Sequence, residues 1–394
     1  MQKYSQSPLE STFVQYPYSF YEKIRAGGDL IYWEDYNLVF AISHRAVNYF
    51  LRDRKWGREV PEEKKCPYSD HLAPFLKMEE NSLLEMDPPR HTKLRKLVAK
   101  AFTTSSIAKL EPDIEKIVKD ILTNLTQDEI ELQKNFSEKV PVLVIAKLLG
   151  VEASMADQLL RWSHDIVAMY QANRDLAKEI RAGKASAEFT EYMISVINFR
   201  KTNPGEDLIS GLLRAEIDGE KLSMDEMVST CILLLNAGHE ATAFALGNGI
   251  KAIIEENVAY SNLNKPEFVP KVVEEILRYD PPLHIFERFA KEDVDIFDHS
   301  FKKGQEVGLL LAAANRDPQT FINPNDFDPV RDNPGNVSLG AGVHFCVGAP
   351  LARMEMRISL KELFNHFPNL KLVRKPVYSD RYHFHGFDEL WVAP

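Results

Sequence analysis

The stretch "MVSTCILLLNAGHEATAFALGNGI", residues 227–250, is apolar nearly all round until Asn236. A helix with no polar face cannot rest on a surface, because every orientation leaves apolar area in water; it must run through the core. At 394 residues, 44% of them hydrophobic, the chain is long enough to build that core. Its longest apolar runs, such as "CILLLNAG" and "VGLLLAAAN", fall far short of the ~20 residues that span a bilayer, so no membrane crossing is expected. A formal charge of -10 argues against nucleic acid, since an acidic surface repels a polyanion. The N-terminal "MQKYSQSPLESTFVQYPYSF" has no basic region leading into an apolar run and no small-residue cleavage pattern, which predicts a cytoplasmic protein. Cys66, Cys231 and Cys346 are too few and too scattered for a disulfide framework, a four-thiolate zinc site or an iron–sulfur cluster. Any special cysteine must act singly.

Around the central stretch, "DLIYWEDYNLVFAI" (29–42) sets β-branched and aromatic residues about the turn-like "EDYN" and predicts a hairpin. From about 92 to 260 the pattern is helical; in "LEPDIEKIVKDILTNL", Leu110, Ile114, Ile117, Ile121 and Leu125 recur at spacings of three and four. A strand signal returns at "EVGLLLAAAN", irregular Pro- and Asp-rich chain follows at "NRDPQTFINPNDFDPVRDNPGN", and the C-terminal "LKLVRKPVYSDRYHFHGFDELWVAP" alternates as short strands do. With no repeat, low-complexity tract or linker, one mixed, mainly helical domain over 1–394 is expected.

The most unusual local pattern is "SLGAGVHFCVGAPLARMEMR", residues 338–357. Gly340, Gly342 and Gly348 permit positive φ and let a flat ligand approach the backbone. After Cys346, Val347, Leu351, Met354, Ile358 and Phe364 follow a helical stripe, so the sulfur should sit near a helix N-terminus, where amides favour the thiolate. Such a thiolate is a nucleophile or a metal ligand; a buried cysteine beside a turn is the alternative.

"LGAGVHFCVG" resembles the haem-binding loop of the cytochrome P450 family: Phe, two residues, Gly, three residues, Cys, one residue, Gly. Gly342, Cys346 and Gly348 match, and Leu339 stands where Phe is usual. The resemblance extends in order along nearly the whole chain. "VVEEILRYDPP" carries Glu275 and Arg278 as the family's Glu-x-x-Arg pair, and "FDPVR" supplies Arg331 as a third member, implying a buried structural cluster bracing the loop. "MDPPRHTKLRKLVAKAFT" is similar to the family's C-helix entry; His91 and Arg95, with His344 and with Arg288 of "PPLHIFERFA", match positions that reach haem propionates. In "AGHEAT", Ala237 and Gly238 match the small residues leaving room for dioxygen, and Glu240 matches the acid that relays protons. The usual alcohol position is Ala241; Thr242 is displaced by one residue, about 100° around a helix.

The resemblance implies a mainly α fold with small β-sheets, the triangular prism of the cytochrome P450 fold, holding haem b through the Cys346 thiolate. It implies a monooxygenase that inserts one oxygen atom into a small organic substrate by hydroxylation or oxidative demethylation. Leu233, Asn236, Leu283, Phe286 and Phe384, with the 57–85 loop and the helix pair near 165–190, match substrate-pocket positions; Asn236 would favour a substrate with at least one oxygen. With Ala241 at the alcohol position, a substrate hydroxyl, ordered water or direct use of peroxide must complete proton delivery. No dinucleotide fingerprint is present, so a ferredoxin with its reductase is the expected electron source, Lys93, Lys96 and Lys100 being candidates for its docking. A monomer is expected. Two other readings stand: a haem-thiolate protein that binds or senses a ligand without turnover, and a helical interaction protein without cofactor.

Overall fold

The computed structural model describes residues 1–65, 69–171, 174–332 and 334–394. The residues 227–250 belong to a single 32-residue helix, Met224–Glu255, about 48 Å long at ~1.5 Å per residue. It begins at a reciprocal capping box between Ser223 and Glu226, and nearly every position from Met227 to Ile253 is buried. Helices Lys139–Leu149, Ala156–Val167, Leu176–Thr202 and Ala349–His366 pack around it. The fold is mainly α, with small sheets.

The expected hairpin forms: Leu30–Trp33 pairs antiparallel with Leu38–Ala41, Leu30 opposite Ala41. It joins a six-stranded sheet in the order Lys3–Tyr4, Leu30–Trp33, Leu38–Ala41, Glu306–Leu310, Ile285–Ala290, Trp56–Gly57. The Leu38–Ala41 and Glu306–Leu310 strands run parallel; Glu306–Leu310 pairs antiparallel with Ile285–Ala290, which places Arg288 opposite Val307. The C-terminal segment forms short strands at Lys371–Leu372, Val377–Tyr378, Phe387–Glu389 and Trp391–Ala393.

Three local readings change. The strand in "EVGLLLAAAN" stops at Leu310, and Leu311–Ala314 turns into helix, where three alanines have the higher propensity. On the helix Glu111–Thr123 the deeply buried stripe is Ile114, Val118 and Leu122; Leu110, Ile117 and Ile121 lie at its edge, only partly buried. Gly348 has φ -78, so it needs no left-handed freedom, unlike Gly340 and Gly342 at φ 70 and 69.

Cys231 is fully buried in the central helix, and burial pushes its thiol up to about 12. Cys66, read as a loop thiol, lies outside the described residues, as do parts of the 57–85 and 165–190 regions. Among the described residues no helix is long and apolar enough to cross a membrane.

Candidate functional site

The loop before the helix Ala349–His366 is held by its own backbone. Gly340 N–H donates to the Val337 carbonyl at 2.9 Å, Phe345 N–H to Gly342 at 3.2 Å, and Cys346 N–H to Leu339 at 2.9 Å. Gly342 lies against the helix His44–Arg52, where a Cβ would stand 2.5 Å from the Leu51 carbonyl oxygen; φ and space both demand glycine there. Leu339 packs, partly buried, on the main core. A Cβ at Gly348 would stand 3.8 Å from the Cys346 sulfur, an ordinary contact.

The Cys346 sulfur receives the backbone N–H groups of Gly348 and Ala349 and lies in the field of Arg95 and Arg353. Burial pushes its thiol up, and these four groups oppose that. Arg95, on the helix Arg90–Ala101, donates from Nη2 to the Phe345 carbonyl at 2.5 Å, beside the cysteine. His91, one turn earlier, is 2% exposed; its ring centroid lies 4.3 Å from that of His344. His344 Nε2 is 3.1 Å from Asp87 Oδ1. Asp87 also accepts from the Arg58 and Glu59 amides at 3.1 and 3.2 Å, which helps hold its carboxyl well below the usual range.

Several polar atoms here want an anion. Arg288 is 2% exposed, donates from Nη1 to the Glu287 carbonyl, and has no carboxylate partner among the described residues. Burial, then the neighbouring Arg58, pull it down to about 9. His91 Nδ1 and Arg58 Nε are buried without a hydrogen-bond partner, and His91 is pulled down to about 4 by burial, then by His344 and Arg95. Native interiors seldom leave such donors unmatched. Carboxylates arriving with a ligand would match them, so the donor set fits the propionates of haem with Cys346 at its metal. Arg58 and Asp87 were given no role by the sequence reading; Arg58 has no local signature beyond being an isolated charge, and Asp87, though inside the quoted "MDPPRHT" segment, shows nothing there of its partners.

On the central helix, Leu233, Ala237, Gly238 and Ala241 interrupt an otherwise buried stretch; Ala237 is exposed, and Leu233, Ala237 and Ala241 recur every four residues. Their spacing of four puts them on one face. Gly238 is partly buried, and a Cβ there would meet Ile145 at 2.9 Å, so its smallness serves the crossing with the helix Lys139–Leu149. Asn236 is 8% exposed with Oδ1 unpartnered, Thr242 is 6% exposed, and His239 is fully buried near the His164 ring.

Glu240 is 3% exposed and accepts from Arg381 Nη1 at 2.9 Å; its Oε2 is buried without a partner. Burial pushes this carboxyl up to about 7, with Arg381 opposing and Glu138 and Asp388 adding to the rise. Arg381 also donates to Asp388 at 2.6 Å. Sequence reading gave no hint of this arginine, which arrives from 141 positions away. The C-terminal turn also brings Phe384 opposite Leu283 in an isolated antiparallel bridge. Phe286, by contrast, lies beside Gly340 and under the Arg58 guanidinium, next to the cysteine loop.

Behind the loop, Arg278 makes a bidentate pair with Glu275 at 2.7 and 2.8 Å, and Arg331 Nε donates to the same carboxylate at 3.0 Å. Their side chains are 0%, 1% and 6% exposed. Arg278 further donates to the carbonyls of Asn315, Pro324 and Asp326. Asn315, fully buried, passes the contact on: its Oδ1 accepts the Val337 amide at 2.8 Å and its Nδ2 donates to Ser338 Oγ at 2.6 Å, at the entrance of the cysteine loop.

On the outer face, Lys93 pairs with Glu220 at 2.9 Å and Lys100 donates to the Glu216 carbonyl, while Lys96 is exposed.

The family model described as "Cytochrome P450" matches residues 58–256 and 246–376. The chain is 34% identical over 363 residues to the putative cytochrome P450 YjiB of Bacillus subtilis (strain 168), covering 91% of this chain and 89% of that one. It is 36% identical over 323 residues to the vitamin D(3) 25-hydroxylase of Pseudonocardia autotrophica, covering 81% and 77%. The crystal structure of P450BioI in complex with hexadec-9Z-enoic acid ligated acyl carrier protein superposes with a TM-score of 0.91 at 30% identity, covering 97% of this chain and 99% of that one.

Proposed function

We propose, since this chain belongs to the cytochrome P450 family, that Cys346 would hold haem b through its thiolate and that the pocket takes a largely apolar, oxygen-bearing organic molecule. The chain is a cytochrome P450 monooxygenase, an oxidoreductase. The single observation that carries the assignment of the site is the pair of unmatched buried nitrogens, His91 Nδ1 and Arg58 Nε, beside a buried Arg288 without a carboxylate partner among the described residues, around a loop whose sulfur already receives two amides.

Haem held here would supply the oxidising chemistry, and the Cys346 thiolate would donate electron density to its iron. The chain supplies the rest. Arg95, Arg288, His91 and His344 orient the group through its carboxylates. Leu233, Ala237 and Ala241 offer an apolar face, and the Leu283–Phe384 bridge offers a second wall. The Asn236 Oδ1 favours a substrate with a hydroxyl to donate. A relative named for vitamin D(3) 25-hydroxylation and a neighbour carrying a fatty acyl group support an apolar substrate with oxygen at one place. Phe286 acts beside the loop rather than in that wall.

Glu240 holds the proton near the oxygen side. A carboxyl near neutral pKa exchanges protons in both directions at working pH, which suits a relay. With Ala241 lacking a hydroxyl, a substrate hydroxyl or ordered water bridges Glu240 to the reacting oxygen; retention of the acid favours this over direct use of peroxide. Electrons come from a ferredoxin and its reductase. Because Lys93 and Lys100 are engaged locally, Lys96 is the cation of that face left to meet an acidic partner.

The test is turnover with ferredoxin, ferredoxin reductase, NADPH and 18O-labelled dioxygen on a panel of lipophilic alcohols. One labelled oxygen in the product, with NADPH consumed only when substrate is present, supports the reading. Substrate binding without NADPH consumption or product would favour the sensor, and turnover with peroxide alone would favour a peroxygenase.

A further inference from the structure

Away from the cysteine loop, three buried side chains converge, two of them histidines with ring nitrogens that the fold does not satisfy. Asp280 ends the helix Val269–Tyr279, His284 precedes the strand Ile285–Ala290, and His385 sits in the C-terminal turn; they are 5%, 0% and 1% exposed. His284 Nε2 and both ring nitrogens of His385 are buried without a hydrogen-bond partner. One ligand atom from each residue lies within 4.8 Å of the others, and His385 Nε2 is 3.4 Å from Asp280 Oδ1. In a tetrahedral zinc site with bonds of about 2.0–2.1 Å, neighbouring ligand atoms stand roughly 3.3–3.4 Å apart. One edge already has that length, and the others are no longer than 4.8 Å.

We propose that Asp280, His284 and His385 form a structural zinc site that ties the C-terminal turn to the end of the Val269–Tyr279 helix. Two imidazoles and a carboxylate suit zinc by donor type, and the fourth position falls to water or a neighbouring phenol. Each ligand is oriented from behind. Tyr21 Oη is 2.8 Å from His284 Nδ1, leaving Nε2 for the metal. Tyr18 and Tyr378 donate to Asp280 Oδ1 and Oδ2 at 2.7 and 2.6 Å, and the Tyr378 ring stacks on His385 at 3.9 Å.

Two cations face the same carboxylate. Lys251 is paired with Glu255 at 2.8 Å. Arg316 donates from Nε and Nη2 to the Tyr279 carbonyl and lies over the Tyr18 and Tyr279 rings at 3.5 and 4.0 Å. They lower the affinity below that of an all-acid site without occupying a ligand position. The consequence reaches the pocket: His284 and His385 directly follow Leu283 and Phe384, the two residues of the isolated bridge, and the His385 amide donates to the Pro282 carbonyl at 2.8 Å. Zinc would hold that wall in register. This inference does not depend on the substrate or on turnover.

The experiment is metal analysis of the tag-free, haem-loaded chain expressed in zinc-supplemented medium and desalted, beside the His284→Gln/His385→Gln variant. One zinc per chain in the wild type and none in the variant is expected, with zinc-edge X-ray absorption of the wild type showing two imidazoles. A wild type without zinc, equal zinc in both proteins, or an absorption spectrum lacking imidazole overturns the proposal. The absorption measurement on the wild type decides the matter even where the variant fails to fold.

Discussion

Arg381 Nη1 donates to Glu240 Oε1 at 2.9 Å, joining the last turn of the chain to the middle of its central helix. The guanidinium opposes the burial that raises this carboxyl, so Arg381→Gln should raise Glu240 further. Where turnover requires the ionised acid, the acidic limb of its pH profile then moves to higher pH. Product formation measured across pH 5–9 in wild type and variant checks this; coincident limbs would mean that Glu240 is not the titrating group.

The same carboxyl makes a stability prediction of definite sign. Its folded value of about 7 lies above the ordinary 4.5, so the folded state keeps the proton longer than the unfolded state. Stability contributed by this group is therefore present below about pH 4.5 and is lost as pH rises through about 7. Relative to Glu240→Gln, the wild type should lose stability across that window and run parallel above it. Glu138, also raised to about 7, leaves part of the slope in the variant. Urea unfolding at a series of pH values reads the difference, and parallel curves throughout would refute it.

Arg288 should show opposite effects on two states. Without a carboxylate partner its burial is a cost to the apoprotein, so Arg288→Met leaves the apo chain as stable or more so. With haem bound, the lost charge-assisted contact is worth about 1.5–3 kcal/mol, roughly a tenfold to hundredfold loss of affinity. Haem transfer to apomyoglobin measures the second effect and thermal unfolding of the apoprotein the first. A variant that destabilises the apo chain and leaves haem transfer unchanged would remove Arg288 from the site.

The triad behind the loop should behave differently. Arg278→Leu strands the Glu275 carboxylate at 1% side-chain exposure and is expected to cost about 3–5 kcal/mol. Asn315→Ala cuts the link to Val337 and Ser338 and costs about 1–3 kcal/mol. Both should lose stability with and without haem in chemical unfolding. A loss confined to the haem-bound protein would place these residues in cofactor binding instead.

Much of this organisation is legible in the residues, and the reasons differ by element. The hairpin at 30–41 and the helix through 227–250 are local patterns, set by alternation and by uniform apolarity, and both form as read. The helix Glu111–Thr123 kept its place but turned its buried stripe onto Val118 and Leu122, because neighbouring helices and not the chain's own periodicity choose among adjacent apolar faces. Arg381 and Arg58, and the partners of Asp87 within the quoted "MDPPRHT" segment, were invisible for another reason. Each meets its partner across tens to hundreds of residues, and a lone charge in sequence carries no mark of what it will face. Asn315 lay within the quoted "NRDP" segment, yet only its two side-chain bonds show what it carries to the loop.

The most direct measurement is the absorption spectrum of the purified protein, oxidised and then reduced under carbon monoxide, with Cys346→Ala alongside. A strongly red-shifted carbon monoxide band that vanishes in the variant is the expected result, because only a thiolate ligand to haem iron produces it. A haem spectrum without that shift, or a shifted band that survives loss of the Cys346 sulfur, would contradict ligation through this residue and the monooxygenase chemistry built on it.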